Sequence, residues 1–363
     1  MLIDSEGFGF SPNAADYITY GVASGAAGTI NTAGPYGDNY VTLAGSGAGF
    51  IKVFPVGCTN FFFGTRMKFT AGQPGPAFFF LDAVNNILCS VLLTAGSGAV
   101  QAFSGATAPV PAFNSGYTST PLGISVAGAC PLAGWFYLEI GVVLSTTAGS
   151  IIVRVNGGTV LSVTGVNTIC APGFLQGPFP APALISQVAI AASNSNNGFS
   201  AASCSLMHMY LCDSTGSAPW NSFLGDVRVQ TLLPTANDAV AFTPNGLSAN
   251  WQNVSQVPPV PGSDYNASAT VGAQDTFTTG AMASNLGTIF GVNVKTLLAK
   301  SDAGVRTAAG VAKSGGTTLA ATAVYVSTSM SVAQGVFQTD PNTAAPWTPA
   351  AVNAAKFGYK IVA

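Results

Sequence analysis

The chain has 363 residues, of which 48% are hydrophobic and only 7% are charged, and its formal net charge is −2. A typical soluble domain carries about 25% charged residues, so little charge repulsion keeps an isolated copy in solution, and the composition favours a protein packed in a large assembly. No basic run occurs, which excludes the clustered positive surface of a nucleic-acid-binding protein.

The first ten residues, MLIDSEGFGF, are acidic and contain neither a basic segment nor a long apolar one. They therefore lack the pattern of a secretory signal peptide, and we expect a protein made in the cytoplasm. Gly, Ser, Asn and Pro interrupt every apolar run before it reaches about 18 residues, so no membrane-inserted helix is predicted.

Between residues 39 and 213 the sequence consists of short runs rich in β-branched and aromatic residues, each bounded by Gly, Pro, Asn or Ser. Such runs predict strands. The clearest hairpin is IIVRVNGGTVLSV, in which Asn156, Gly157 and Gly158 tolerate positive φ. Many short strands with Gly- and Pro-rich turns predict an all-β fold, a jelly-roll sandwich. The predicted strands lie in NYVTLAGS, GFIKVFPV, NFFFGTRMKFT, PAFFFLDAV, ILCSVLLT, WFYLEIGVVLS, SIIVRVNGGTVLSVTG, ALISQVAIAAS and CSLMHMYLCD.

Catalytic residues are scarce in these strands. Glu139 has no acidic neighbour two or four positions away, whereas a retaining glycosidase needs two carboxylates about 5 Å apart. We expect Glu139 to point outward from a sheet or to pair with Arg154 across it. The one histidine, His208, lies in a strand, and no G-x-S-x-G motif accompanies it. We therefore expect a protein that is not an enzyme and has no catalytic residues.

Metal and cofactor sites are not predicted either. The six cysteines form no C-x-x-C pair, so a zinc site is not expected. Asp38 with Asn39, and Asp82 with Asn85 and Asn86, are too sparse for calcium and predict turns. A reducing cytosol favours free, buried thiols, and disulfides formed after release or between subunits are the alternative. The cysteines are Cys58, Cys89, Cys130, Cys170, Cys204 and Cys212.

Aromatic residues are the remaining means of binding a ligand. Trp135 and Tyr137 share a strand face, which predicts that they pack in a core. The other tryptophans lie in loops, where anchoring the chain is the expected role and stacking on a sugar is the alternative. They are Trp220, Trp251 and Trp347.

After Cys212 the composition changes. FLGDVRVQTLLP predicts a strand, and the following Pro-, Asn- and Ser-rich stretch predicts an ordered connector anchored by Phe242, Trp251 and Tyr265. From residue 267 a smaller β unit is predicted, with strands in TIFGVNVKTLLAKS, GVRTAAGVAKSG and ATAVYVSTSMS. TPAAVNAAKFG predicts one short helix with Thr348 as N-cap, Pro349 as its first residue and Gly358 as its C-terminal stop.

The alternation in DVRV predicts that Asp226 and Arg228 share a strand face, about 6–7 Å apart. Charges so sparse are not a catalytic site. We hypothesise that Arg228 hydrogen-bonds to carbonyl or carboxylate groups of the connector and so ties two domains together.

The segment MYLCDSTGSAPWNSFLGDVRVQTLLPTANDAVAFTPN, followed by SDYNASATVGAQDTF, resembles a segment of tailed-bacteriophage virion structural proteins. In those proteins a concanavalin- or laminin-G-like jelly roll precedes a strand with the pattern F-L-G-D-V-R-V. The ending FQTDPNTAAPWTPAAVNAAKFGYKI is also similar. By motif the resemblance covers residues 205–363, and for residues 1–204 it rests on architecture alone. The matching positions are Phe223 to Val229, Pro234, Ala236, Asp238, Asp264, Tyr265, Asp340, Pro341, Pro346, Trp347, Thr348 and Gly358.

The resemblance implies a non-enzymatic virion structural protein of a tail, fibre or capsid surface, held by contacts with other virion proteins and with copies of itself. The alternative is a carbohydrate-binding adhesin that attaches to a glycan of the host surface. We predict a jelly-roll domain at residues 1–215, a strand and ordered connector at 216–266, and a small β domain at 267–363.

Overall fold

The computed structural model describes residues 1–9, 28–44, 49–70, 75–105, 120–170, 183–191, 203–282 and 287–363. The chain divides into two units, one made of Met1 and Ile3–Val229 and the other of Leu2 and Gln230–Ala363. In the ranges described, no helix combines the length and the hydropathy needed to cross a membrane. The three-part division at residues 215 and 266 stays a prediction.

Two sheets form the first unit. Its strands are β1 Leu2–Glu6, β2 Thr29–Asn31, β3 Tyr40–Ala44, β4 Gly49–Cys58, β5 Asn60–Phe69, β6 Ala77–Leu81, β7 Ile87–Thr94, β8 Ala99–Ser104, β9 Thr120–Ile124, β10 Phe136–Val143, β11 Gly149–Val155, β12 Gly158–Val166, β13 Ile185–Ala191 and β14 Ser203–Asp213. Sheet A has the order β12-β11-β10-β5-β14-β3-β2, and β1 also pairs with β14. Sheet B has the order β4-β13-β6-β7-β8-β9.

One apolar core lies between the two sheets. In β5, Phe61, Phe63 and Met67 are buried in this core, whereas Arg66 and Lys68 alternate with them and point to the other side of sheet A. That period of two is what a sheet with one core face requires. The all-β, jelly-roll architecture followed by a smaller β domain is confirmed, and each of the nine predicted strand segments contains at least one strand.

The predicted hairpin is present as β11 and β12. Asn156 and Gly157 have φ of 49° and 81°, the left-handed values that a two-residue turn with matching twist requires. The Asn156 side-chain oxygen also accepts a hydrogen bond from the Tyr137 backbone N–H at 2.8 Å, and the Asn156 backbone N–H donates to the Tyr137 carbonyl at 2.8 Å. The turn is therefore attached to the start of β10.

A buried ionic cluster attaches the N-terminal strand to sheet B. The Lys52 ammonium in β4 lies 2.7 Å from Asp4 and 3.6 Å from Glu6 of β1, and each of the three side chains is 6% exposed or less. Glu6 also accepts the backbone N–H groups of Gly7 and Phe8 at 3.0 Å. Such a cluster is costly to desolvate, and removing one partner leaves an unpaired buried charge.

The second unit contains three small sheets. Its elements are β15 Pro234–Ala239, β16 Thr243–Asn245, α1 Asn250–Asn253, β17 Tyr265–Ala267, β18 Gln274–Thr279, β19 Val292–Leu298, β20 Thr307–Ser314, β21 Thr317–Ala320, β22 Val324–Tyr325, β23 Ser331–Phe337, α2 Pro349–Ala354 and β24 Lys356–Ile361. The largest sheet has the order β15-β18-β24-β20-β21, with β22 paired to β20, and two further pairs are β16-β17 and β19-β23.

A buried carboxylate orders the connector. Asp275 in β18 accepts the backbone N–H groups of Ala241 and Phe242 at 2.7 and 3.0 Å, and the Asn250 amide at 2.8 Å. Tyr359 donates its hydroxyl to the same carboxylate at 3.2 Å, and burial together with that charge raises the pKa of Tyr359. Asp275 therefore holds two backbone N–H groups and one side-chain amide of the predicted connector.

Two local predictions for the C-terminal half are wrong. Residues 223–233 form no strand, and the next strand begins at Pro234. The short helix and its cap are confirmed, because the Thr348 hydroxyl accepts the Ala351 N–H at 3.1 Å. Gly358, however, does not end that helix but lies within β24, where a Cβ atom would come within 1.9 Å of the Asp275 carbonyl oxygen. Close strand approach, not helix termination, requires this glycine.

All six cysteines are free thiols, in agreement with the prediction. Because burial disfavours the thiolate, it raises the pKa of each thiol. The pKa is about 12 for Cys58, Cys130, Cys204 and Cys212 and about 11 for Cys170.

Replacing the buried lysine tests the ionic cluster. We expect Lys52→Met to lower the free energy of unfolding by about 3–5 kcal/mol, because Asp4 and Glu6 would keep their charges without the ammonium. Urea unfolding followed by tryptophan fluorescence measures the change. Lys313→Met is the matched control, since its 2.7 Å pair with Asp238 is partly exposed and should contribute about 1 kcal/mol or less. Equal effects of the two substitutions would contradict the assignment.

Candidate functional site on the outer face of sheet A

The outer face is the side of sheet A that points away from the apolar core. It carries Arg66 and Lys68 from β5, Tyr137 and Glu139 from β10, and Tyr210 from β14. Charged residues are rare in this chain, so their concentration on one face makes it the best candidate for a functional surface.

A segment without regular secondary structure, Trp220–Val229, covers part of the outer face. We call it the covering segment. Glu139 accepts the Gly225 N–H at 2.8 Å and the Tyr210 hydroxyl at 2.5 Å, and the Tyr210 oxygen accepts the Leu224 N–H at 3.0 Å. Side chains thus accept the Leu224 and Gly225 N–H groups, and the Val227 N–H donates to the Gly225 carbonyl, so these three donors are satisfied without a neighbouring strand.

Glu139 points outward from sheet A, as expected, but the covering segment buries it, so that it is only 1% exposed. Arg154 lies opposite it on β11, as the predicted cross-strand neighbour. The Arg154 guanidinium stacks on Phe223 of the covering segment, 4.2 Å from the ring centroid. Burial raises the pKa of Tyr210 well above its ordinary value, and the Glu139 charge raises it further, so the Tyr210 hydroxyl remains a donor.

His208 lies in a bulge of β14, where the pairing with β5 shifts between Met207 and Tyr210. Its φ is 51°, and the extra residue turns the imidazole away from the core positions. Nδ1 accepts the Val229 N–H at 3.2 Å, and Nε2 lies 3.2 Å from the Asp38 carboxylate. The His208 imidazole thus holds the end of the covering segment through the Val229 N–H.

Tyr36 lies between two arginines. The Arg228 guanidinium carbon is 3.6 Å from its ring centroid and that of Arg66 is 5.1 Å away. Arg66 forms an ion pair with Asp226. Asp226 and Arg228 are both exposed, and the Arg228 guanidinium packs on the Tyr36 ring. The hypothesis that Arg228 hydrogen-bonds to the connector and so ties two domains together stays a prediction.

The open part of the outer face begins at Lys68. Its ammonium lies over two rings, 4.9 Å from the centroid of Trp135 and 5.1 Å from that of Tyr40, and the rings meet edge to face at 5.2 Å. All three side chains are half-buried, so the prediction that Trp135 packs in a core is wrong. Trp135 precedes β10 and therefore sits at the edge of the sandwich.

A row of polar side chains continues from Lys68 across the sheet. Lys68 faces Ser205, and Ser205 faces Thr42, so the three share the outer face. The Ser205 and Thr42 hydroxyl groups are 3.0 Å apart, and the Asn31 amide donates to Thr42 at 3.0 Å. Two aromatic rings, an ammonium, an amide and two hydroxyls thus lie side by side.

Three of the other aromatic candidates are buried. Tyr137 is buried under the covering segment rather than in the core, and its hydroxyl donates to the His208 carbonyl at 3.2 Å. Trp220 and Trp347 are 9% and 3% exposed, and the Trp347 indole N–H donates to the Phe337 carbonyl. Their burial fits the role expected of loop tryptophans, which is to anchor the chain, and Trp251 is half-buried.

Asp82 forms a turn, as predicted, because it accepts the N–H groups of Val84 and Asn86. Among the residues described, no group of three or more His, Cys, Asp or Glu side chains could hold a metal ion.

No protein-family model and no curated protein matches the chain. Among solved structures it is similar to a sialidase, with 13% identity and a TM-score of 0.30 over 50% of this chain, and to a GH43 protein of Bacillus licheniformis, with 15% identity and a TM-score of 0.32 over 47%. The chain spans 15% of the first and 32% of the second. A third is the carbohydrate binding module CBM66 from Bacillus subtilis, with 8% identity and a TM-score of 0.29, over 53% of this chain and 91% of the module.

These comparisons correct one expectation from the sequence. The prediction that the chain is not an enzyme is wrong by this comparison, because a sialidase and a GH43 protein are among the structures that it resembles.

The Glu139 carboxylate is expected to hold the covering segment. Glu139→Ala leaves the Gly225 N–H and the Tyr210 hydroxyl unpaired, so we expect the free energy of unfolding to fall by about 2–4 kcal/mol. Hydrogen exchange at the Gly225 amide should become faster. Glu139→Gln is the matched control, because its amide oxygen can still accept both bonds. If the alanine variant exchanged no faster than the glutamine variant, Glu139 would not be the acceptor that orders this segment.

His208 should make stability depend on pH. Burial lowers its pKa, and the Arg66 and Arg228 charges lower it further against the opposing Asp38 carboxylate. The imidazole of the unfolded chain therefore takes up a proton near pH 6.5, whereas that of the folded chain takes it up only at lower pH. The free energy of unfolding should fall as pH drops below about 6.5, by up to about 1.4 kcal/mol per pH unit, until the pKa of the folded state is reached.

Urea unfolding at pH 7.5 and pH 5.5 measures this effect. His208→Asn is the control: as the only histidine is removed, the loss between these two pH values should shrink. An imidazole that titrates at or above pH 6.5 in the NMR spectrum of the folded protein would contradict the lowered pKa.

Proposed function

We propose that this protein binds carbohydrate through the open part of the outer face, around Tyr40, Lys68 and Trp135. The observation that supports the proposal is the half-buried pair of rings meeting at 5.2 Å beside a row of hydrogen-bonding side chains. A sugar ring presents an apolar face of C–H groups and a rim of hydroxyls, so it needs an aromatic surface flanked by a few polar groups.

The arrangement suits a ligand that lies across the strands. Trp135, Lys68 and Thr42 lie at the first, second and fourth of four adjacent positions in the sheet order, which are about 4.8 Å apart, and the buried Ser205 lies at the third. The row therefore extends over more than one sugar ring and fits a chain of sugars better than a single one. Rigid strands also keep the groups in place before the ligand arrives.

We further propose a setting for this binding protein: the surface of a tailed-bacteriophage virion, as a tail, fibre or capsid-surface component that attaches to a host glycan. The resemblance of residues 205–363 supports it, as does the very low charge of the chain, which suits a protein surrounded by other virion proteins and by copies of itself.

Substitution of Tyr40 and Trp135 tests the proposed site. We expect Trp135→Ala, and separately Tyr40→Ala, to weaken binding to a glycan selected on an array of bacterial surface polysaccharides by about tenfold or more. Isothermal titration calorimetry with the selected glycan measures the change.

Tyr325→Ala is the matched control, because Tyr325 is 81% exposed and belongs to the second unit. It should leave the affinity unchanged, and all three variants should keep the unfolding midpoint of the parent. If both outer-face variants bound the glycan as tightly as the parent, the proposed location of the site would be contradicted. If the parent protein bound no glycan on the array, the proposed carbohydrate-binding function would be contradicted.

A further inference from the structure

The basic residues of the first unit are unevenly placed. Four of its five lysines and arginines lie on the outer face or on the covering segment above it, although the whole chain carries a net charge of −2. The fifth is Lys52, which is buried in its ionic cluster. The four are Arg66, Lys68, Arg154 and Arg228.

The carboxylates of the same face are already engaged. Asp226 pairs with Arg66, Glu139 accepts from Gly225 and Tyr210, and Asp38 lies beside His208. Their negative charge therefore has partners within the protein.

Lys68 and Arg228 differ from these paired charges. Within the part of the chain that the structure describes, the charged groups of Lys68 and Arg228 contact aromatic rings and no carboxylate. Lys68 is half-buried and Arg228 is exposed, so both can reach a ligand. A ring below a cation fixes its position without neutralising it, which leaves the N–H donors free to bind an anion.

Neighbouring side chains connect the two cations. Arg66 and Lys68 are two residues apart on one face of β5, which corresponds to about 6–7 Å. Tyr36 contacts both Arg66 and Arg228. The order along the outer face is therefore Arg228, Tyr36, Arg66, Lys68 and then the rings of Tyr40 and Trp135.

From this order we infer that the carbohydrate ligand is an acidic polysaccharide whose sugar carboxylates bind Lys68 and Arg228 while a sugar ring packs on Tyr40 and Trp135. The inference rests on the proposed function and specifies its ligand class. A guanidinium offers two parallel N–H donors to a carboxylate, and an ammonium offers a compact charge, so the two can hold successive acidic groups of a polymer.

Carboxyl reduction provides the sharpest test. Polygalacturonate, alginate and hyaluronate are each compared with the same polymer after its carboxylates have been converted to primary alcohols, by biolayer interferometry of the full chain at low and at physiological salt. We expect at least one polymer to bind about tenfold more tightly than its reduced form. Raising the salt should narrow that difference, because exposed charges are screened.

Variants assign the charge to its residues. Lys68→Gln and Arg228→Gln should each remove most of the preference for the acidic polymer while leaving affinity for the reduced polymer unchanged. Arg306→Gln is the matched control, an exposed cation of the second unit, and should change neither affinity.

The outcomes separate the two proposals. Equal binding of acidic and reduced polymers, sensitive to Trp135→Ala, would overturn the acidic ligand and keep carbohydrate binding. Binding of anionic phospholipid vesicles or polyphosphate in place of any sugar polymer would overturn both, because it would show a general anion site. Loss of preference in Arg306→Gln to the same extent as in Arg228→Gln would show that net charge, and not these two cations, produces it.

Discussion

The hydrogen bonds of the Glu139 carboxylate determine what the outer face of sheet A can be. By accepting the Gly225 N–H and the Tyr210 hydroxyl, this one buried charge fixes an irregular segment on a sheet that would otherwise be open along its length. The segment covers Tyr137 and the bulge at His208, and it places Arg228 on Tyr36. Among the residues described, the hydrogen bonds of this segment do not extend to the end of the face around Lys68, where the side chains are half-buried. The covered part is thus structural, and the part around Lys68 is where we propose that a ligand binds.

The same use of carboxylates recurs through the chain. Glu6 accepts two backbone N–H groups beside β1, Asp82 closes a turn, and Asp275 orders the connector in the second unit. Hydrogen bonds to a charged acceptor are roughly twice as strong as neutral ones, so a few acids can fix long irregular segments. In a chain with 7% charged residues, several of the few carboxylates therefore accept hydrogen bonds from backbone N–H groups. Its sparse acids are anchors of loops more than solubilising groups.

Strand alternation made the fold predictable where apolar side chains face the core, and misled where they do not. The inward residues of β1 include Asp4 and Glu6, paired with Lys52, so that strand has no apolar period to find. The DVRV alternation is real in exposure, yet the Val229 N–H donates to the His208 imidazole and the Val227 N–H to the Gly225 carbonyl, not to a neighbouring strand. The bulge at His208 adds one residue to β14, and no sequence pattern predicts it. For the site, the alternation in TRMKF could have placed Arg66 and Lys68 on one face, although it was not used for this. The position of Trp135 just before a strand could not show that its ring reaches Lys68.

The positive charge on the outer face narrows the class of ligand further than the shape of the site does. Aromatic rings beside hydroxyls would serve any sugar, neutral or acidic. A cation that already had a carboxylate partner would add little, since the ligand would have to displace that partner. Lys68 and Arg228 stand on rings instead, and a ring lowers the cost of holding a cation near the surface without cancelling its charge. In a chain with a net negative charge, two such cations on a face that also carries the half-buried rings of Tyr40 and Trp135 favour a ligand that brings its own carboxylates.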